Sequence, residues 1–91
     1  MSYELYFTRQ AVADWEILKQ QGNSNLLANT RSVLDLLRAN PMALHPPFKK
    51  LGGELNGLFA RRLDTHHRLI YQVTEERKAV KILSMCHWRE G

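Results

Sequence analysis

Cations crowd one short stretch of the sequence: Lys49 and Lys50, then Arg61 and Arg62, then Arg68. The run Leu58-Phe59-Ala60-Arg61-Arg62-Leu63-Asp64-Thr65-His66-His67-Arg68-Leu69-Ile70-Tyr71-Gln72-Val73 reads as a two-stranded β-hairpin. Its arginines and histidines are residues that a strand serving only a core would not need. Strand side chains alternate between faces, so Arg62 shares a face with Ala60 and Leu58, and Arg68 shares one with Ile70 and Gln72. Two guanidinium groups mounted on a rigid sheet suit a phosphate.

The charge distribution points the same way. The net charge is +4. From Met1 to Pro46 charges cancel, with Arg9, Lys19, Arg31 and Arg38 set against Glu4, Asp14, Glu16 and Asp35. From Pro47 to Tyr71 the five cations meet only Glu54 and Asp64, which places +3 of the total here, and the remainder of the chain carries +1. Positive charge focused on one segment is expected of a site for nucleic acid or another polyanion.

Other features bound the class of protein. A chain of 91 residues with 44% hydrophobic content fits a single domain over residues 1–91, with one core. Cys86 is the only cysteine, which excludes an intrachain disulfide, and no basic-then-apolar leader opens the chain, so a cytoplasmic setting is expected. No apolar run approaches the roughly 20 residues a membrane span requires. His66 and His67 are adjacent and so point to opposite strand faces. With one cysteine and no histidine pair at i, i+4, no metal site and no cofactor are expected. His45 belongs to a proline-rich loop, Trp15 and Leu34 to the core, and Cys86 packs as a small hydrophobe.

The elements that must position these residues follow from periodicity. Tyr3 to Phe7 alternates as an opening strand, and Thr8 is placed to cap a helix that begins near Arg9. On that helix Ala11, Trp15 and Leu18 share a side, and Gly22 stops it. A second helix follows Asn23 or Ser24, with a buried stripe of Leu26, Thr30, Val33, Leu34 and Leu37, and Pro41 lies just past its end. After the loop from Asn40 to Pro47 the pattern becomes β, with strands expected near residues 50–53, 58–63, 68–73 and 78–85. The predicted fold is α+β in the order β-α-α-β-β-β-β. Two N-terminal helices pack on one face of a small, curved, mostly antiparallel sheet, and the other face is left open.

These residues resemble the RelE/ParE superfamily of bacterial toxins, and within it the Txe/YoeB branch. The resemblance covers nearly the whole chain. It rests on Pro46-Pro47-Phe48-Lys49-Lys50-Leu51, Gly53-Glu54-Leu55-Asn56-Gly57, Arg61-Arg62-Leu63, His67-Arg68-Leu69-Ile70-Tyr71-Gln72-Val73 and the terminal His87-Trp88. It implies the RelE-like fold and the toxin of a type II toxin-antitoxin system. Such a toxin is a ribosome-dependent, metal-independent endoribonuclease that cleaves messenger RNA in the ribosomal A site and inhibits translation. Its implied partners are a cognate antitoxin, with which it forms a hetero-oligomer, and the ribosome with its messenger, with no membrane involved.

Metal-free cleavage of RNA needs a base for the ribose 2′-hydroxyl, cations to hold the phosphate as negative charge builds, and an acid for the departing 5′-oxygen. By the resemblance, Arg68 is the transition-state arginine, Arg62 a second phosphate-holding arginine and His87 the general acid. Lys49 stands where the branch usually carries a glutamate base. A lysine fills that role only with a lowered pKa, and crowding by Lys50, Arg61, Arg62 and Arg68 would push that way. Lys50, Arg61, Trp88 and Arg89 are expected to contact RNA, Arg62 more directly than Arg61. Trp88 replaces the tyrosine usual in the family and offers a ring for stacking without a hydroxyl. Two other readings remain open on the sequence. One is a basic module that blocks the ribosome without cutting, and the other a ParE-like toxin directed at gyrase.

Overall fold

The computed structural model describes residues 2–45 and 47–87, the last two by their backbone. Its elements are β1 (Glu4–Phe7), α1 (Arg9–Gln21), α2 (Ser24–Ala39), β2 (Phe48–Lys50), β3 (Phe59–Arg62), β4 (His67–Thr74) and β5 (Ala79–His87). This is the α+β order that the sequence predicts. The helix boundaries fall at the expected caps. Thr8 Oγ1 accepts the Ala11 N–H at 3.1 Å, and Asn23 Oδ1 accepts the Leu26 N–H at 3.0 Å. Gly22 adopts φ +68°, the left-handed conformation that ends α1 and turns the chain into α2. Among the described residues no helix is long and apolar enough to cross a membrane.

The five strands form one sheet in the order β1-β5-β4-β3-β2. β1 runs parallel to β5 and every other pair is antiparallel. Both helices cover one face. Ala11 and Leu18 of α1 and Leu26, Val33, Leu34 and Leu37 of α2 meet Leu69, Tyr71, Val80, Ile82 and Met85 of the sheet. Fully burying one such large side chain stabilises by about 1.5–3 kcal/mol. Among the described residues the other face carries a small apolar patch of Leu51, Ala60 and Ile70, with Leu58 and Leu83 against it. One strand lies earlier than expected. β2 occupies Phe48–Lys50 rather than residues 50–53, because Gly53 turns at φ +63° into a short 3-10 segment, Gly53–Leu55.

A bulge adjusts the phase of β5. Ile70 pairs with Ser84 while its neighbour Tyr71 pairs with Ile82, so Leu83 is an extra residue in that strand. Strict alternation from Ile82 would turn Met85 outward, whereas the extra residue returns it to the core. Groups at the irregularity are satisfied from α1 and its cap. Thr8 Oγ1 donates to the Leu83 carbonyl at 2.8 Å, and the Met85 N–H donates at 2.9 Å to Oδ2 of Asp14, a buried carboxylate that also accepts from Gln10.

Arg61 corrects an expectation. The sequence reading places it on the RNA-contacting surface, but it is 1% exposed and points inward from β3. Its Nε donates to the Tyr71 hydroxyl at 2.9 Å, and its Nη2 donates to the carbonyls of Pro41 and Ala43 at 3.0 and 2.7 Å. The guanidinium carbon lies 4.9 Å from the Phe48 ring centroid and 5.9 Å from that of Tyr71. Strand alternation requires one of two consecutive arginines to face the core, and this one ties the loop after α2 to the centre of the sheet. Replacing it with methionine strands the Ala43 carbonyl and leaves the Pro41 carbonyl and the Tyr71 hydroxyl only their long 3.3 Å bond to each other, and should cost on the order of 3 kcal/mol in urea unfolding. Arg61→Lys should recover less than half of that loss, because one ammonium cannot reproduce the planar fork.

Candidate active site

The hairpin joining β3 to β4 brings the outward arginines together. Arg62 and Arg68 are paired across the two strands. Like charges directly opposite one another destabilise a strand pair, so something must offset them. That residue is Asp64. Its carbonyl oxygen accepts from Arg62 Nε at 3.2 Å and from Arg68 Nη1 at 2.9 Å, and Arg68 Nη1 donates as well to the His67 carbonyl at 3.1 Å. Its side chain builds the turn, since Oδ1 accepts from the N–H groups of His66 and His67 at 2.8 and 2.7 Å and from the His67 ring at 2.9 Å. Asn29 of α2 donates to the Leu63 carbonyl at 3.0 Å, which fixes the hairpin to the helical layer.

The electrostatics at Asp64 follow from these bonds. Partial burial alone would raise its pKa, but the hydrogen bond from the His67 ring and the backbone N–H groups outweigh it and hold the carboxyl below its ordinary range. An ionised carboxylate only accepts hydrogen bonds, so the His67 nitrogen facing it, Nδ1, carries a proton. In the sequence Asp64 stands out only as one of two carboxylates among the five cations of residues 47–71. Its work through the main-chain carbonyl was not foreseen, and the available signal was an aspartate two and three residues ahead of the N–H groups that it caps.

The remaining assignments divide by strand register. Lys49 is exposed and opposite Ala60, so it lies on the helix-free face with Ala60 and Ile70, the face that Arg68 shares on β4. Lys50 is opposite Phe59, whose ring packs toward the helices, so it alternates away from Lys49. Glu54 is exposed in the 3-10 segment. In β5 Cys86 pairs with Arg68 and His87 with His67, which brings the His87 backbone beside the strand that bears the arginine. The His87 side chain, Trp88 and Arg89 lie outside the described residues. Among the described residues no group of three or more histidine, cysteine, aspartate or glutamate side chains is placed to hold a metal ion. What the geometry brings together is a pair of arginines bound to one oxygen, with a lysine on the same open face. Such an arrangement can bind a phosphate and stabilise negative charge that develops on it.

Comparison with known proteins agrees with this architecture. The model for the YoeB-like toxin of bacterial type II toxin-antitoxin systems matches residues 7–88. No curated protein matches the sequence significantly. Among solved structures, the YoeB/ParE toxin from Agrobacterium tumefaciens superposes with a TM-score of 0.83 at 19% identity, over 94% of this chain and 99% of that one. A chain of the YoeB-YefM complex from Staphylococcus aureus gives 0.75 at 25% identity, over 99% and 100%. A chain of the toxin-antitoxin complex RelBE2 from Mycobacterium tuberculosis gives 0.69 at 28% identity, over 97% and 100%.

The lowered pKa of Asp64 sets a direction for pH dependence. Its ionised form contributes stability that is present above the unfolded aspartate value of about 3.9 and is lost as pH falls through the lower folded value. Asp64→Asn should therefore be less stable than the parent at pH 7, with the gap closing in acid as pH falls through the lowered folded value. Asp64→Ala, which also loses the turn acceptor, should cost about 1 kcal/mol at pH 7. Urea unfolding at pH 7 and in acid checks both, and a gap for Asp64→Asn that does not change with pH would contradict the ionic hydrogen bond.

Proposed function

The chain belongs to the YoeB-like toxin family of bacterial type II toxin-antitoxin systems, and on that premise we propose that it is a ribosome-dependent endoribonuclease of the cytoplasm, cleaving messenger RNA in the A site without a metal ion. The observation that carries this reading is the convergence of Arg62 and Arg68 on the Asp64 carbonyl, on a sheet face that no helix covers. In the proposed reaction Lys49 takes the proton of a ribose 2′-hydroxyl. The 2′-oxygen then attacks the adjacent phosphorus, and the bond to the 5′-oxygen breaks as that oxygen takes a proton from His87. The products are a 2′,3′-cyclic phosphate and a 5′-hydroxyl. Arg68 and Arg62 stabilise the charge on the non-bridging oxygens through the transition state. Outside the cluster, Lys50, Trp88 and Arg89 make the flanking RNA contacts.

The same cations suit restraint by a partner. The YoeB-YefM and RelBE2 structures are toxin-antitoxin complexes by name, and a cognate antitoxin for this chain would set carboxylates against the open-face cations. A non-cleaving block of the ribosome is the competing reading, favoured by a lysine at the position of the base. Mapping 5′ ends of transcripts after induction separates the two, because only an endonuclease leaves new ends.

Arg68→Ala should lower the cleavage rate about 100- to 1,000-fold and abolish growth inhibition with the melting temperature unchanged within a few degrees. Lys49→Ala should slow cleavage about 10- to 1,000-fold, while Lys49→Glu restores a carboxylate base and part of the rate. Toxicity that survives Arg68→Ala, or cleavage indifferent to both Lys49 substitutions, would overturn the corresponding roles.

A further inference from the structure

The open face continues past the arginine pair to a second polar cleft. Tyr6 of β1 pairs with Lys81 of β5, and Lys81 pairs with Gln72 of β4, which makes a row across three strands. With Thr74, Ala79 and Arg77 of the β4–β5 turn, this row lines a cleft of about 510 Å³. Gln72 lies four residues along β4 from Arg68 on the same face, a separation of about 13 Å at the usual rise of a strand. One extended chain could therefore touch both places.

The cleft has the parts of a backbone grip. Lys81 and Arg77 are exposed, and among the described residues neither is held in an ion pair. The nearby turn carboxylate Glu75 is already engaged by the Tyr3 hydroxyl at 2.8 Å and by Lys78 at 3.4 Å. Glu4 of β1 accepts the Tyr6 hydroxyl at 2.6 Å. That bond fixes the Tyr6 ring, which is 54% exposed, on the floor beside Lys81. Cations tracking a backbone beside an exposed aromatic ring are what sequence-tolerant binding of single-stranded nucleic acid requires.

We infer that this cleft is a second RNA subsite, in which Lys81 and Arg77 hold a backbone phosphate and the Tyr6 ring takes a base, while the scissile phosphate lies at Arg68. The inference rests on the proposed function and extends it by more than one nucleotide along the strand. An acidic peptide would also satisfy the two cations, but an exposed ring beside them favours a strand that carries bases to stack. The Arg77→Gln/Lys81→Gln pair removes two exposed charges and should leave thermal unfolding unchanged.

Binding of a roughly 12-nucleotide, 2′-O-methylated and hence uncleavable RNA tests the assignment, since sites for single strands span about 4–16 nucleotides. The double variant should bind it roughly 3- to 10-fold more weakly, and the slope of log affinity against log salt should fall by about 0.7, the loss of one phosphate contact. Tyr6→Ala should weaken binding to a similar extent without changing that slope. A dinucleotide, which reaches only the Arg68 end, should bind both proteins alike. Unchanged affinity and slope for the long RNA would overturn the subsite, and so would an equal loss for the dinucleotide or a loss seen only with polyglutamate. Weaker binding to vacant as well as messenger-loaded ribosomes would show that the phosphate is ribosomal, and weaker binding to loaded ribosomes alone that it belongs to the messenger. Parent protein that binds the long RNA as expected yet leaves no new transcript ends would refute the nuclease reading and keep the subsite.

Discussion

Two consecutive arginines on one strand cannot face the same way, and the outward one is only as well placed as the inward one is satisfied. A buried guanidinium without partners costs several kcal/mol. Arg61 avoids that cost through the Pro41 and Ala43 carbonyls, the Tyr71 hydroxyl and the faces of two rings. The same bonds anchor the loop that delivers β2 to the sheet edge, and with it Lys49. One buried cation thus sets both the orientation of Arg62 and the position of the lysine strand.

The outward pair raises a second electrostatic problem. Two guanidiniums opposite one another on adjacent strands repel, yet a phosphate site needs them together before the ligand arrives. Asp64 answers with two different oxygens. Its carbonyl receives both arginines, and its carboxylate, held below the ordinary aspartate range, draws in the N–H groups that make the turn. The geometry that binds the cations is therefore built from the hairpin's own backbone, and the charge that offsets their repulsion is a group already needed to close the turn. Preorganisation of this kind spares the reorganisation that mobile side chains would require when charge develops on a substrate.

Much of this was legible in the sequence because the governing signals are local. Thr8, Asn23 and Gly22 are cap residues with a mechanism, and the stripe from Leu26 to Leu37 has the period of a helix with one buried side. Alternation along β4 placed Arg68, Ile70 and Gln72 on one face, and the structure agrees. What could not be read depends on contacts between distant segments. Nothing local says that Arg61 rather than Arg62 turns inward, since that depends on carbonyls some 20 residues earlier meeting Tyr71. Nor does the sequence of β5 announce a bulge at Leu83, which exists because Thr8 and Asp14 are there to satisfy it. The row of Tyr6, Lys81 and Gln72 was likewise hidden, because it requires the first strand to lie parallel to the last.

That parallel pairing has a consequence for the open face. A meander of β2 to β5 alone would end in an exposed β5 edge, with Lys81 at the margin of the molecule. Adding β1 makes β5 interior and surrounds Lys81 with Tyr6 on one side and Gln72 on the other. The bulge farther along the same strand adds twist, so the face between Arg68 and Lys81 follows a coiled path that an extended polyanion can track. Among the described residues no helix packs on this face, and the exposed Lys81 and Arg77 on it stand outside any ion pair, at some cost in self-repulsion. A polyanionic strand or the acidic segment of a partner relieves that repulsion. The electrostatic feature that would bind substrate is therefore also the one through which an inhibitor could stabilise the protein.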